Sequence, residues 1–253
     1  MSASDLEKEK RWAEQIVDSI LDGDELWLKA KDGTSEHEFL TIFTEAEFET
    51  EQEAEVVSKL GIKRGMIVVH GTGIHPNWPQ IVQPVRVEMA QQGWNTLSIQ
   101  MPVLDNQAAI ADYASIYPEV IPRFKAAEQY LKDQGVNEIV IVAHSQGSVM
   151  TGYYLLHSES SAEAFIAIGM PLSPNDQGID TVKTLKKLSI PVLDIYGSND
   201  LAEVLSVADE KRKASIKNKR YSQVKIKDAN HFFDEQNEVL ISTISQWLKK
   251  NLL

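Results

Sequence analysis

The sequence predicts an α/β fold, a mostly parallel sheet of about eight strands with helices on both faces, and three observations carry that prediction. From residue 64 onward, short apolar runs of strand composition alternate with helical stretches, the pattern of parallel crossover units. Residues with chemical potential stand where those runs end, at His70-Gly71, Ser145 and Asp200, and ligands bind outside the carboxyl ends of parallel strands. No internal repeat or Gly/Ser-rich linker divides the 253 residues, which suffice for one domain with a sizeable core.

Taken in order, Trp12, Ile16, Val17, Ile20 and Leu21 recur at helical spacing, predicting an amphipathic helix over 5–22 that ends at Gly23. Residues 1–24 thus form a helical extension ahead of a core spanning 25–253. Strand-like runs from Glu25 to Lys31 and from Glu38 to Thr44 flank Asp32-Gly33-Thr34, a hairpin expected at the sheet edge. Glutamate at 45, 47, 49, 51, 53 and 55 reads as an exposed connector, since no histidine joins those carboxylates to make a metal site. Gly65 to His70 is a buried strand, 79–92 a helix, and Trp94 to Gln100 a strand. A helical region over about 106–134 is interrupted near Pro118 and Pro122, because proline lacks the N–H a helix interior needs. The strand from Ile139 to Ala143 leads into Ser145, and a helix follows over Ser148 to Leu156. Ala164 to Met170, Pro191 to Tyr196 and Gln223 to Lys227 supply further strands, and those after residue 64 should all be parallel. A last helix, 237–250, gathers Leu240, Ile241, Ile244, Trp247 and Leu248 on one face.

Composition narrows the function classes. With 43% apolar and 25% charged residues and no apolar stretch near the roughly 20 residues of a membrane span, the chain reads as soluble and globular, with no integral membrane segment. A formal net charge of −12 argues against nucleic acid as a partner, because phosphate backbones are bound by clustered Lys and Arg. The basic run Lys211-Arg212-Lys213, with Lys217, Lys219 and Arg220, reads as the solvated face of a helix. There is no cysteine, so disulfides and thiolate zinc sites are excluded. The opening Met1-Ser2-Ala3-Ser4-Asp5 shows no basic-then-apolar signal, which suits either a cytoplasmic protein or one whose signal has been removed.

The chemistry centres on Ala143-His144-Ser145-Gln146-Gly147, where a strand turns abruptly into a helix. Such a bend strains the residue at its apex and lifts its hydroxyl out of the sheet edge. Ala143 stands where the usual Gly-x-Ser-x-Gly pattern has its first glycine. A serine hydroxyl needs a base to take its proton and a carboxylate to orient that base. Asp200, in Gly197-Ser198-Asn199-Asp200, lies beyond a strand end, whereas its competitor Asp194 sits mid-strand. His231 falls in the loop between the last strand and last helix, where it can reach over Ser145. Donors for a developing oxyanion are expected from the backbone of Thr72 or its neighbour Gly71 and from Gln146. His75 and Trp78, with Asn77, fall near the same mouth as substrate contacts or loop packing, and His144 is expected to line the pocket. His37 and His157 read as structural. Gly71-Thr72-Gly73 fails both as a dinucleotide fingerprint and as a phosphate loop, and no metal-ligand spacing appears, so no cofactor or metal is expected.

These motifs, with the order Ser145, Asp200, His231, resemble the α/β-hydrolase superfamily over residues 25–253. Glu9-Lys10-Arg11-Trp12-Ala13-Glu14-Gln15, the segment His70 to Trp78 and Ser98-Ile99-Gln100-Met101-Pro102 further resemble a functionally uncharacterised bacterial family of that fold. The resemblance implies a Ser-Asp-His site and, since members often carry a secretory signal, a mature periplasmic form. Only about 20 residues separate Met170 from Pro191, so a minimal lid or none is expected, which suits small esters or thioesters better than long-chain lipids. A noncatalytic binding protein on the same fold is the alternative.

Overall fold

Alternation within each central strand splits its side chains between two cores. In β3 (Arg64–Val69), Ile67 and Val69 face one helical layer while Met66 and Val68 face the other. In β5 (Glu138–His144), Ile139, Ile141 and Ala143 join the first layer and Val140 and Val142 the second. Only a strand covered on both sides carries so continuous an apolar run. The computed structural model describes residues 4–48, 50–173 and 180–252. Residues 1–3, on which part of the N-terminal reading rests, lie outside them.

The remaining strands are β1 (Asp24–Asp32), β2 (Ser35–Thr44), β4 (Asn95–Ile99), β6 (Ala162–Ile168), β7 (Val192–Asn199) and β8 (Tyr221–Asn230). They form one eight-stranded sheet in the order β1-β2-β4-β3-β5-β6-β7-β8. β2 pairs antiparallel with both neighbours, and every pairing from β4 to β8 is parallel, as the alternating sequence predicts. The first core takes Phe124 and Leu131 of α4 (Val120–Asp133) and Val149 and Tyr154 of α5 (Gln146–His157). The second takes Val85 and Met89 of α3 (Val82–Ala90) with Leu240 and Ile244 of α9 (Asn237–Asn251). The connection from β6 to β7 holds α6 (Thr181–Lys187); the lid expectation falls partly on residues 174–179, outside the described residues.

Several expectations are corrected. α1 (Leu6–Ile16), capped at its start by the Asp5 side chain on Lys8 N–H, stops six residues short of Asp22, and Leu21 is 89% exposed. Ser19 Oγ closes its end on Ile16 C=O at 2.7 Å. The acidic connector is in part a helix, α2 (Glu51–Leu60), because glutamate is a good helix former and Glu55 pairs with Lys59 one turn on; Glu49 lies outside the described residues. Pro122 does not interrupt anything: it sits in the first turn of α4, where an N–H has no intrahelical acceptor, and the break falls at the end of the 3₁₀ segment Ile110–Glu119.

The basic run is the largest correction. After the short α7 (Ala202–Leu205), α8 (Ala208–Ala214) points Lys211 into the protein, fully buried against Asp194 of β7 at 2.8 Å. Tyr221 OH at 2.7 Å and Gln223 Nε2 at 2.9 Å donate to the other carboxylate oxygen, while Lys211 Nζ also donates to Met170 C=O at 3.0 Å. Arg212 and Lys213 remain exposed. Removing one partner of such a pair leaves an uncompensated buried charge, so Lys211→Met lowers unfolding stability by about 3 kcal/mol, measurable by urea denaturation. An unchanged midpoint would mean that Asp194 is already satisfied without the lysine.

Candidate active site

Ser145 sits where β5 becomes α5, with φ 53° and ψ −128°, a backbone conformation rarely adopted by a residue carrying a Cβ. The bend is held by Ser145 N–H donating to Ile168 C=O at 2.8 Å and by Ser148 Oγ donating to Ala143 C=O at 2.6 Å. Glycine is required at 147, since a Cβ there would stand 2.4 Å from His70 O. At 143 no glycine is needed: the alanine methyl is absorbed into the first core.

His231 reaches the serine from the loop after β8. Its Nε2 lies 2.9 Å from Ser145 Oγ and its Nδ1 2.6 Å from Asp200 Oδ1. With Nδ1–H donated to the carboxylate, Nε2 presents a lone pair to the serine hydroxyl. The loop is shaped by Asn230, whose Oδ1 accepts from Phe232 N–H and Asp234 N–H, and by buried Phe233 at φ 55°. Gly169, at φ 57°, makes room for the ring, because a Cβ there would stand 3.0 Å from its Cε1 and Nδ1. Asp200 also accepts from Gly197 N–H at 3.1 Å and Leu201 N–H at 2.8 Å. Burial pushes its carboxyl up, but the His231 hydrogen bond and these N–H groups outweigh it and hold Asp200 below the ordinary value. Asp194, the competitor, is committed to Lys211, Tyr221 and Gln223.

The turn after β3 packs directly on the elbow. A Cβ on Gly71 would stand 2.9 Å from Ser145 Cβ, and among the described residues the N–H groups of Gly71, Thr72 and Gln146 have no hydrogen-bond partner. The Gln146 side chain turns away to Tyr117 OH. A narrow recess beside them is walled by Thr72, Met101, Pro102, Tyr113, Gln146 and Met150.

The other candidates are placed differently. His144 is buried at 2% exposure, so it does not line an open pocket; its Nε2–H donates to His231 C=O at 3.0 Å, and its ring lies 4.7 Å from that of His231. It braces the loop from beneath. His75 accepts from Asn77 N–H and meets Trp78 edge to face at 5.2 Å, while Trp78 Nε1 donates to Gln80: these are packing contacts within the 75–80 turn. Tyr117 and the bracing role of His144 escaped sequence reasoning, because each acts through a partner far away in the chain, whereas Asn230 acts on its own loop, within four residues. Among the described residues no group of His, Cys, Asp and Glu is arranged to hold a metal ion, and no helix is long and apolar enough to cross a membrane.

A family described as proteins of unknown function (DUF3530) matches residues 58–122 and 112–250. The chain belongs to that family. Among curated proteins none matches. Solved structures do: Est1E from Butyrivibrio proteoclasticus superposes with a TM-score of 0.69 at 15% identity, covering 91% of this chain and 99% of that one. An esterase from Pyrococcus furiosus gives 0.68 at 15% identity, covering 91% and 92%. A lidless α/β serine hydrolase from Xanthomonas campestris gives 0.65 at 14% identity, covering 91% and 95%. The DUF3530 chain therefore has the α/β-hydrolase fold.

Proposed function

We propose that the protein is a serine hydrolase that cleaves esters or thioesters of small to medium acyl groups through a covalent acyl-enzyme, with residues 1–253 acting as one unit. The observation that carries this reading is the unbroken hydrogen-bond relay from Asp200 through His231 to Ser145 at a strained strand-to-helix bend. His231 takes the hydroxyl proton as Ser145 Oγ attacks the substrate carbonyl, and Asp200 stabilises the imidazolium that results. The oxyanion is received by N–H groups of Gln146 and of Thr72 or Gly71, which point no hydrogen bond elsewhere. His231 then returns the proton to the leaving group, and water repeats the cycle to release the acid.

The direct test is labelling with a fluorophosphonate followed by mass spectrometry of the modified peptide. Modification at Ser145 that disappears in His231→Ala is the expected result. Folded protein that stays unlabelled would favour the noncatalytic binding protein. The crevice beside Thr72 and Gln146 has no room for even a water-sized group and so offers no channel for a long acyl chain; turnover of p-nitrophenyl esters is expected to peak at short chain length and fall for long ones. A sharp maximum at long chains would overturn that preference. Est1E has been solved with ferulic acid bound, which is a reason to include aromatic-acid esters in the screen.

A further inference from the structure

The helix that precedes the sheet, α1, lies outside the residues matched by the family, yet it is wired into the turn beside Ser145. The segment after β4 is gripped from both sides: Asp5 N–H donates to Val103 C=O at 2.7 Å, and Glu9 Oε1 accepts from Val103 N–H at 3.3 Å. Lys8 Nζ donates to the next carbonyl, Leu104 C=O, at 2.7 Å. Glu9 in turn pairs with fully buried Arg123 of α4, at 2.8 Å and 3.0 Å, and Arg123 Nη1 donates to Gln100 C=O at 2.9 Å.

The far end of this segment holds His70. Met101 N–H can only donate, so His70 Nε2, 2.9 Å away, accepts, and the ring proton lies on Nδ1. That proton goes to Gly71 C=O at 2.8 Å, which orients the peptide that presents the Thr72 N–H. A path of short polar contacts thus runs from Glu9 through Arg123, Gln100 and Met101 to His70 and the turn. Buried ion pairs contribute little net stability compared with apolar packing, so fixing a geometry is the gain such a pair can supply.

We propose that Glu9 and Lys8 are positioning residues, which hold the 100–104 segment and through His70 set the Gly71-Thr72 turn to receive the oxyanion. This rests on the serine-hydrolase reading. A misplaced donor weakens binding of the transition state while leaving ground-state binding in place. Glu9→Gln and Lys8→Met should therefore each lower kcat about tenfold with little change in KM. Affinity for a trifluoromethyl ketone, which forms an oxyanion on the serine, should fall by the same factor, and amide exchange at Met101, whose N–H is held by His70, should quicken.

Tyr154→Phe, which removes a buried hydrogen bond to Glu128 at 2.9 Å, is the control for general loosening. Wild-type kcat and ketone affinity in whichever of the two variants folds, or losses no larger than in Tyr154→Phe, would overturn the proposal. A wild-type protein that neither turns over esters nor labels with fluorophosphonate would instead remove the hydrolase reading, and this proposal with it.

Discussion

On the serine-hydrolase reading proposed above, Ser145→Ala is expected to lower kcat by roughly six orders of magnitude while the protein stays folded, since that reading makes its hydroxyl the attacking group and gives the other two triad members no way to substitute for it. The substitution keeps the Cβ, so the strained φ of 53° at the bend persists and the elbow is retained. His231→Ala has a comparable effect, because the serine then lacks a base at 2.9 Å. Asp200→Asn falls less far, by about four orders of magnitude, since an amide favours the wrong imidazole tautomer but leaves the ring in place. Turnover of a chromogenic short-chain ester, with circular dichroism to verify folding, measures all three. Wild-type turnover in Ser145→Ala would place the nucleophile elsewhere.

Acid weakens the fold through two buried imidazoles. His70 and His144 are both pushed down from 6.5 to about 3, chiefly by burial. In the unfolded chain each takes up a proton near pH 6.5, whereas in the folded protein each stays neutral until about pH 3. The unfolded state therefore binds more protons across that window, and stability is full above about pH 6.5 and declines as pH drops toward 3. At about pH 5 each ring costs about 2 kcal/mol, so the pair costs about 4 kcal/mol. Asp200 adds to the loss only lower down, because its depressed carboxyl gives stability that is present above the unfolded value near 3.9 and lost as pH falls through the folded one. Urea midpoints at pH 7 and 5 test this, and His144→Gln, which keeps a donor for His231 C=O, should remove about half of the difference. Equal midpoints at the two pH values would show that the rings titrate normally.

Local signals made most of this architecture legible. Period-two apolar runs located the central strands, and the places where they stop located Ser145, Asp200 and His231. What stayed hidden depends on partners distant in sequence. Lys211 read as solvated because a lysine in a basic run carries no mark of Asp194, seventeen positions earlier, beneath it. His144 and His70 looked alike as histidines near strand ends, yet one braces the His231 loop and the other the Gly71 turn, a difference decided by which carbonyl each ring meets. Glu9 and Arg123, 114 positions apart, gave no sign of pairing. The acidic stretch before residue 60 was misread for another reason: alternating glutamates resemble a connector, and only the i,i+4 partner Lys59 shows that part of them folds as helix.

The two outer strands of the sheet have a bearing on self-association. β1 displays Lys29 and Lys31 toward Glu36 and Glu38 of β2, and β8 displays exposed Lys225 and Lys227. Exposed pairs of this kind stabilise a monomer by less than about 1 kcal/mol. Their weight falls on the unpaired backbone beside them: a second copy, or a misfolded strand, that zipped onto either border would have to strip water from lysines before gaining a single ladder hydrogen bond. Charge at both borders thus guards an otherwise open β-sheet against growing into an aggregate.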